Sequence, residues 1–220
     1  MAHETNQSTQ STLRLMTWLT PVFPTGGFAY SSGLESAYAT GAITTAADLS
    51  SWIQVVLSSG SAWNDAILCA QSWRGTQDVA YLATYVEALC TGHERYTETV
   101  DQGAAFIAAA RPWSGAVVFP DPCPLPIAVG LVARVNDVPL KLAVAAHIHS
   151  FLSNQIQAAL RLGRIGQDDG LQIVADLESL VGETAARAAE ADLDALGGSA
   201  FTADFLSLDH ETREPRIFRT

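Results

Sequence analysis

Lysine is nearly missing: Lys141 is the only one, and with eleven arginines the chain sets 12 basic against 23 acidic residues over its 220, a net charge of −11. The arginines are scattered except at the C-terminal end, so no basic stripe exists to neutralise a phosphate backbone, which argues against a nucleic-acid partner. Long apolar runs are missing too. Although 48% of residues are hydrophobic, no uncharged stretch approaches the roughly 20 residues of a membrane span. The N-terminal residues Met1–Ser11 lack the apolar core of a secretory signal and the arginines of a transit peptide, so a cytoplasmic address is expected. Cysteine is sparse: Cys69, Cys90 and Cys123 are widely spaced, with no CxxC pair, which suits reduced, buried thiols better than a disulfide framework or a zinc site. Strand signals are confined to Gly115–Phe119, and nothing pairs with that run by turn chemistry.

What is present is helical periodicity. Leu49, Trp52, Ile53, Val56, Trp63, Ile67 and Ala70 keep the spacing of one buried helix face over 46–73, and Thr45 and Asp48 stand as a capping box before it. A second helix follows from Val79, Leu82, Val86 and Leu89, ending by Gly92. Pro139 opens another, carried by Leu140, Val144, Ile148, Leu152, Gln155 and Ala159. Leu171, Val174, Leu177, Val181, Ala185 and Ala188 predict one more, with Asp168 and Asp169 placed well for its N-terminus. Five of the nine prolines fall within 111–126, which makes that stretch a loop or extended connector. The expected architecture is all-α: a single bundle-like domain over 12–208 with a proline-rich loop, preceded by a disordered arm (1–11) and followed by a docking tail (209–220).

Candidate chemistry is thin. His147 and His149 lie two apart in a helical segment, about 200° around the axis, so both rings cannot readily hold one ion. Pro21, Pro24, Gly26 and Gly27 read as a rigid turn, not a phosphate cradle, since no GxxxxGK[ST] follows a strand. Glu94, Glu98 and Asp101 repeat at i, i+4, i+7, and a solvated acidic helix face is the expectation for them. The C-terminal run is the most unusual segment: Arg213, Arg216 and Arg219 surround Ile217 and Phe218 in an otherwise acidic chain, the composition of an interface anchor. In a helical turn their three-residue spacing would line one face, although Pro215 would limit any helix to starting at or near itself, and the tail is expected to order only on a partner.

Together these segments carry a family resemblance. Leu13–Met16 followed by Pro21-Val22-Phe23-Pro24-Thr25-Gly26-Gly27-Phe28-Ala29-Tyr30-Ser31-Ser32-Gly33-Leu34-Glu35 resembles the opening motif of the urease accessory protein UreF family. Glu94-Arg95, Glu98-Thr99 and Gln102-Gly103 are similar to a second family stretch, Cys123–Gly130 to its proline-rich approach to a middle helix, and the terminal His210-Glu211-Thr212 with Arg216-Ile217-Phe218-Arg219 to its ending. Asp209 and Arg213–Pro215 depart from the family pattern. The resemblance implies an all-helical, non-catalytic scaffold that dimerises and bridges UreD (UreH in some organisms) and the GTPase UreG, in the complex that delivers nickel to the urease apoprotein. It implies no cofactor of its own, nickel being handled by the complex, and partner contacts through Tyr30, Ser31, Glu35, Glu94, Glu98, Gln102 and His210, Glu211, Thr212, Arg213, Arg216, Ile217, Phe218, Arg219. Pro21, Pro24, Gly26, Gly27, Phe28 and Gly33 would shape the motif, presenting Tyr30, Ser31 and Glu35 on a first long helix. Two alternatives from the residues alone are a nickel carrier using His147, His149 or Cys123 and a small helical enzyme using Glu94, Glu98 or His147.

Overall fold

The computed structural model describes residues 2–220, with side chains from Ser8 onward. Among the described residues there are twelve α-helices, two short 3₁₀ turns and no strand. The all-α expectation therefore holds, and the Gly115–Phe119 run is irregular chain.

The centre is built by α4 (Ser61–Arg74), α8 (Leu125–Val135) and α9 (Leu140–Arg161), with α3 (Ala46–Ser59), α6 (His93–Ala109) and α11 (Glu178–Ala188) packed around them. Helix α8 is buried on every side, from Ile127 to Ala133, because its run of apolar residues leaves no face for water. Gly130 sits where α8 crosses α4: a Cβ there would lie 1.9 Å from Ser72 Oγ and 2.4 Å from the Cys69 carbonyl. Backbone approach of this kind admits glycine alone.

The Thr45 capping box forms as expected, the Thr45 hydroxyl accepting from Asp48 N–H and the Asp48 carboxylate accepting from Thr45 N–H. Pro139 caps α9, and Asp168 and Asp169 lie in the first turn of α10 (Gln167–Asp176). Two helices expected as continuous are broken. The 46–73 segment divides at Gly60, where the chain passes so close to Ala200 that a Cβ would stand 3.0 Å from its methyl group; the periodicity resumes in α4 and hides the break. The 168–188 segment divides at buried Leu177, between α10 and α11. Gly92 starts α6 instead of ending α5 (Val79–Leu89). The proline-rich stretch holds a four-residue helix, α7 (Arg111–Ser114), and yields to α8 at Leu125.

Both ends also differ from expectation. Of the disordered arm expected over 1–11, residue 1 lies outside the described residues and 2–11 form the first turns of α1 (Ala2–Trp18). Ser11, Leu15 and Trp18 are buried at helical spacing, and Trp18 meets Trp113 edge-on at 5.8 Å. That anchored half supplies a nucleus from which preceding turns propagate cheaply. At the other end, α12 (Phe201–His210) is followed by an extended segment that folds back onto the body.

Candidate interaction site

The opening motif does not build a long helix. After Gly26, left-handed at φ 76°, comes a single 3₁₀ turn (Gly27–Ala29), and Tyr30 is extended. Ser32 and Gly33 then both take positive φ, 51° and 82°, and α2 (Leu34–Ala39) runs only six residues. Tyr30 and Ser31 thus lie on a bent connector instead of a helix, with Glu35 in the first turn of α2. Gly33 is favoured twice over, by its φ and because a Cβ there would stand 3.0 Å from the Ser207 backbone nitrogen.

The bend creates a slot between the motif and α6, and the last four residues, 217–220, line up in it with Phe218 and Thr220 buried. Arg219 N–H donates to the Ala29 carbonyl at 2.8 Å, and Ser31 N–H donates to the Thr220 carbonyl at 2.9 Å. Phe218 is 3% exposed, with the Arg161 guanidinium 4.5 Å from its ring centroid. Burial of that ring is worth roughly 2 to 3 kcal/mol.

Charge completes the attachment. Glu35 Oε1 accepts from Ile217 N–H (2.8 Å) and Oε2 from Phe218 N–H (2.9 Å). The same carboxylate meets His210 Nε2 at 3.1 Å, while His210 Nδ1 meets Glu94 Oε2 at 2.8 Å. His210 has no exposed surface, so its ring joins α2 to α6 with a carboxylate at each nitrogen. Glu94 also pairs with Arg216, and its backbone N–H donates to Glu211. Burial pushes the Glu35 carboxyl upward, but the Phe218 and Ile217 N–H groups and His210 outweigh it and hold Glu35 below the usual carboxylate range.

One turn along α6, buried Glu98 accepts from Ser32 (3.2 Å), Thr220 (3.3 Å) and Gln102 (3.2 Å). Its pKa is raised by burial despite Arg95, which binds Asp65 at 2.5 Å. Tyr30 donates to Asp101 at 3.1 Å, and Arg219 reaches the same carboxylate at 3.4 Å while lying 5.4 Å from the Tyr30 ring centroid. Burial, then Asp101, pushes the Tyr30 phenol up to about 12.

The predicted residues therefore converge, with corrections. Glu94 and Glu98 are not a solvated face: with Asp101, which stays exposed at the rim, they form the side of α6 that receives the tail. Arg213, Arg216 and Arg219 line no helix; each takes its own acid, Asp209, Glu94 and Asp101 in turn. The tail is ordered against its own body, contrary to the expectation that it orders only on a partner. Thr212 stands outside the network, its hydroxyl donating to the Asp209 carbonyl. Ser32, Arg95, Asp65, Arg161 and Thr220 belong to the site and were missed; a charged residue inside an otherwise apolar helix pattern, as Asp65 is, was the available signal. His147 and His149 are parted as the helical angle requires, one buried and one exposed. The His147 pKa is lowered by burial, and burial pushes the Cys123 thiol up to about 12. Among the described residues no cluster of three His, Cys, Asp or Glu side chains is arranged to hold a metal.

Comparison with known proteins covers both the body and this site. Residues 43–178 match the sequence profile of the UreF family. The urease accessory protein UreF of Brucella ovis is 46% identical over 98% of this chain and 97% of its own length. UreF 1 of Brucella anthropi is 43% identical over the same shares, and UreF of Agrobacterium fabrum 46% identical over 94% of this chain and 96% of its own. The profile stops short of the motif and the tail, whereas the two Brucella relatives are matched over 98% of the chain.

Proposed function

The chain belongs to the UreF family of urease accessory proteins, and on that footing we propose that it serves urease maturation as a bridge between UreD (UreH) and the GTPase UreG. Family membership implies the role in urease maturation; the bridging is our reading. In it the chain is a non-catalytic cytoplasmic homodimer, holds no tight cofactor, and leaves nickel to the complex that loads the urease apoprotein. It influences UreG through contact, tuning GTP hydrolysis without supplying a nucleotide loop.

The observation that supports this reading is the stitched tail. A buried Glu35–His210–Glu94 bridge and the backbone contacts of residues 217–220 spend the tail's polar groups inward, while Ile217 (63% exposed), Phe28 (65% exposed) and Arg219 face outward beside one another's anchors. Preorganisation of an apolar and cationic edge lowers the ordering cost of binding. Such an edge suits a partner carrying carboxylates around an apolar pocket.

The test is co-purification from cells expressing the urease cluster. Ile217→Asp should leave the melting temperature unchanged, since the side chain is mostly exposed, and should reduce capture of UreD at least fivefold. Deleting Arg213–Thr220 should abolish capture and urease activation together. Normal UreD capture by both variants would overturn the assignment of this edge.

A further inference from the structure

Helix α12 carries an apolar stripe that the tail does not use. Phe201, Phe205 and Leu208 are 65%, 71% and 38% exposed, and at i, i+4, i+7 they fall within about 60° of one another around the axis. The helix packs by its other side, where the Ser207 backbone approaches Gly33 and His210 is fully buried. The stripe is therefore surplus apolar surface, of a kind that marks interaction sites. Its N-terminal end opens into a cleft of about 360 Å³ between α12 and α3, with Ile43, Trp52 and Val55 on the far wall. Val55 is 47% exposed, and the buried Trp52 indole N–H finds no hydrogen-bond partner among the described residues.

Charge narrows the occupant. No lysine or arginine occurs between Arg14 and Arg74, or between Arg187 and Arg213, the two stretches that supply this face. Asp48 lines the cleft, and on the helical wheel Asp204 and Asp209 flank the stripe on opposite sides. Asp209 is offset by Arg213, whereas Asp204 takes a hydrogen bond from the neutral Thr91 hydroxyl. A second copy would bring this acidic rim against its own counterpart on a chain of net charge −11.

We propose that the α3–α12 groove receives an amphipathic helix of a partner protein, with apolar anchors seated on the stripe and lysine or arginine flanking them. This is helix-in-groove recognition on a face separate from the tail edge, and it stands whether or not that edge binds UreD.

The full chain, titrated into a fluorescein-labelled 14-residue leucine/lysine amphipathic peptide, should raise its anisotropy in a saturable manner. A leucine/glutamate peptide of the same pattern should bind at least tenfold more weakly. Phe205→Asp and Phe201→Asp should each raise Kd tenfold or more for the lysine peptide. Added negative charge alone would lower it, so the loss reports the apolar contact. Val118→Asp, at a site 82% exposed on the proline-rich loop, should leave Kd within twofold. Circular dichroism and melting temperature establish that each variant is folded, and the two phenylalanines give independent readings. Unchanged Kd in both, or equal binding of the glutamate peptide, overturns the proposal. So does a dimer by light scattering that Phe205→Asp converts to monomer, because the groove would then belong to a second copy.

Discussion

The α4–α8 contact and the C-terminal strap both close on the body, yet they are held by different physics. Between α4 and α8, close approach at Gly130 and apolar side chains such as Ile67, Ala70, Ile127 and Leu131 fill the interface, so its strength scales with area and packing. The strap buries Phe218 and otherwise rests on two carboxylates, Glu35 and Glu94, each shared among several donors. The first interface is indifferent to pH and intolerant of volume. The second tolerates volume at its exposed residues but fails when one shared acceptor is lost, because every donor it served is then left desolvated.

The largest effect should come from volume at the core. Gly130→Val must push Ser72 and the Cys69 backbone aside, which should cost about 3 kcal/mol or more and lower the melting temperature of the whole chain. An unchanged melting temperature would show that α4 and α8 slide freely, against the close-packed picture.

Glu35→Ala should instead act locally. Ile217 N–H, Phe218 N–H and His210 lose their acceptor, at a cost of about 2 to 3 kcal/mol. Because the strap can leave without opening the core, hydrogen exchange at Ile217 and Phe218 should accelerate and trypsin should cut sooner after Arg213 and Arg216, while protection in α8 is kept. Loss of protection in α8 to the same degree would merge the two regions into one cooperative unit.

Acid should separate them next. The Glu35 pKa is depressed in the folded state from its ordinary value of 4.5. Its contribution is therefore complete above about pH 4.5 and declines as pH falls through the folded value. Glu98, with a raised folded pKa, works in the opposite sense, its penalty being relieved on protonation. Amide resonances of Ile217 and Phe218 should lose their strap-bound positions on acidification before those of α8 move, and Glu35→Gln should remove that difference. Simultaneous loss of both sets would contradict it.

The smallest effect should be at the rim. Arg219 and Asp101 are 61% and 46% exposed and 3.4 Å apart, so Arg219→Ala should change stability by less than about 1 kcal/mol and leave strap protection in place. Release of the strap by this change would mean that exposed charge, not the buried carboxylates, holds it.

Local signals in the sequence were legible because the groups that answer them are three or four residues away: the Thr45–Asp48 box, Pro139 at the head of α9, the acids opening α10. Breaks at Gly60 and Leu177 were not, since periodicity on either side runs nearly in phase, and at Gly60 the close neighbour, Ala200, is 140 positions away. At the candidate site the sequence offered the right residues in the wrong setting. Glu94 and Glu98 look like a solvated face until the tail arrives, and the arginines look like a helical row until each finds a different acid.

Helical class, the ends of several helices and, through the opening and closing motifs, membership of the UreF family are written in the order of residues alone. These depend on turn geometry, periodicity and residue identity, all readable along the chain. Long-range packing is what folds the tail back, sets His210 between Glu35 and Glu94, and leaves Phe201, Phe205 and Leu208 outside. His210 and Glu35 are separated by 175 positions, and no local rule brings a histidine to a carboxylate across that distance; packing of α12 on α2 and the bend at Ser32–Gly33 do.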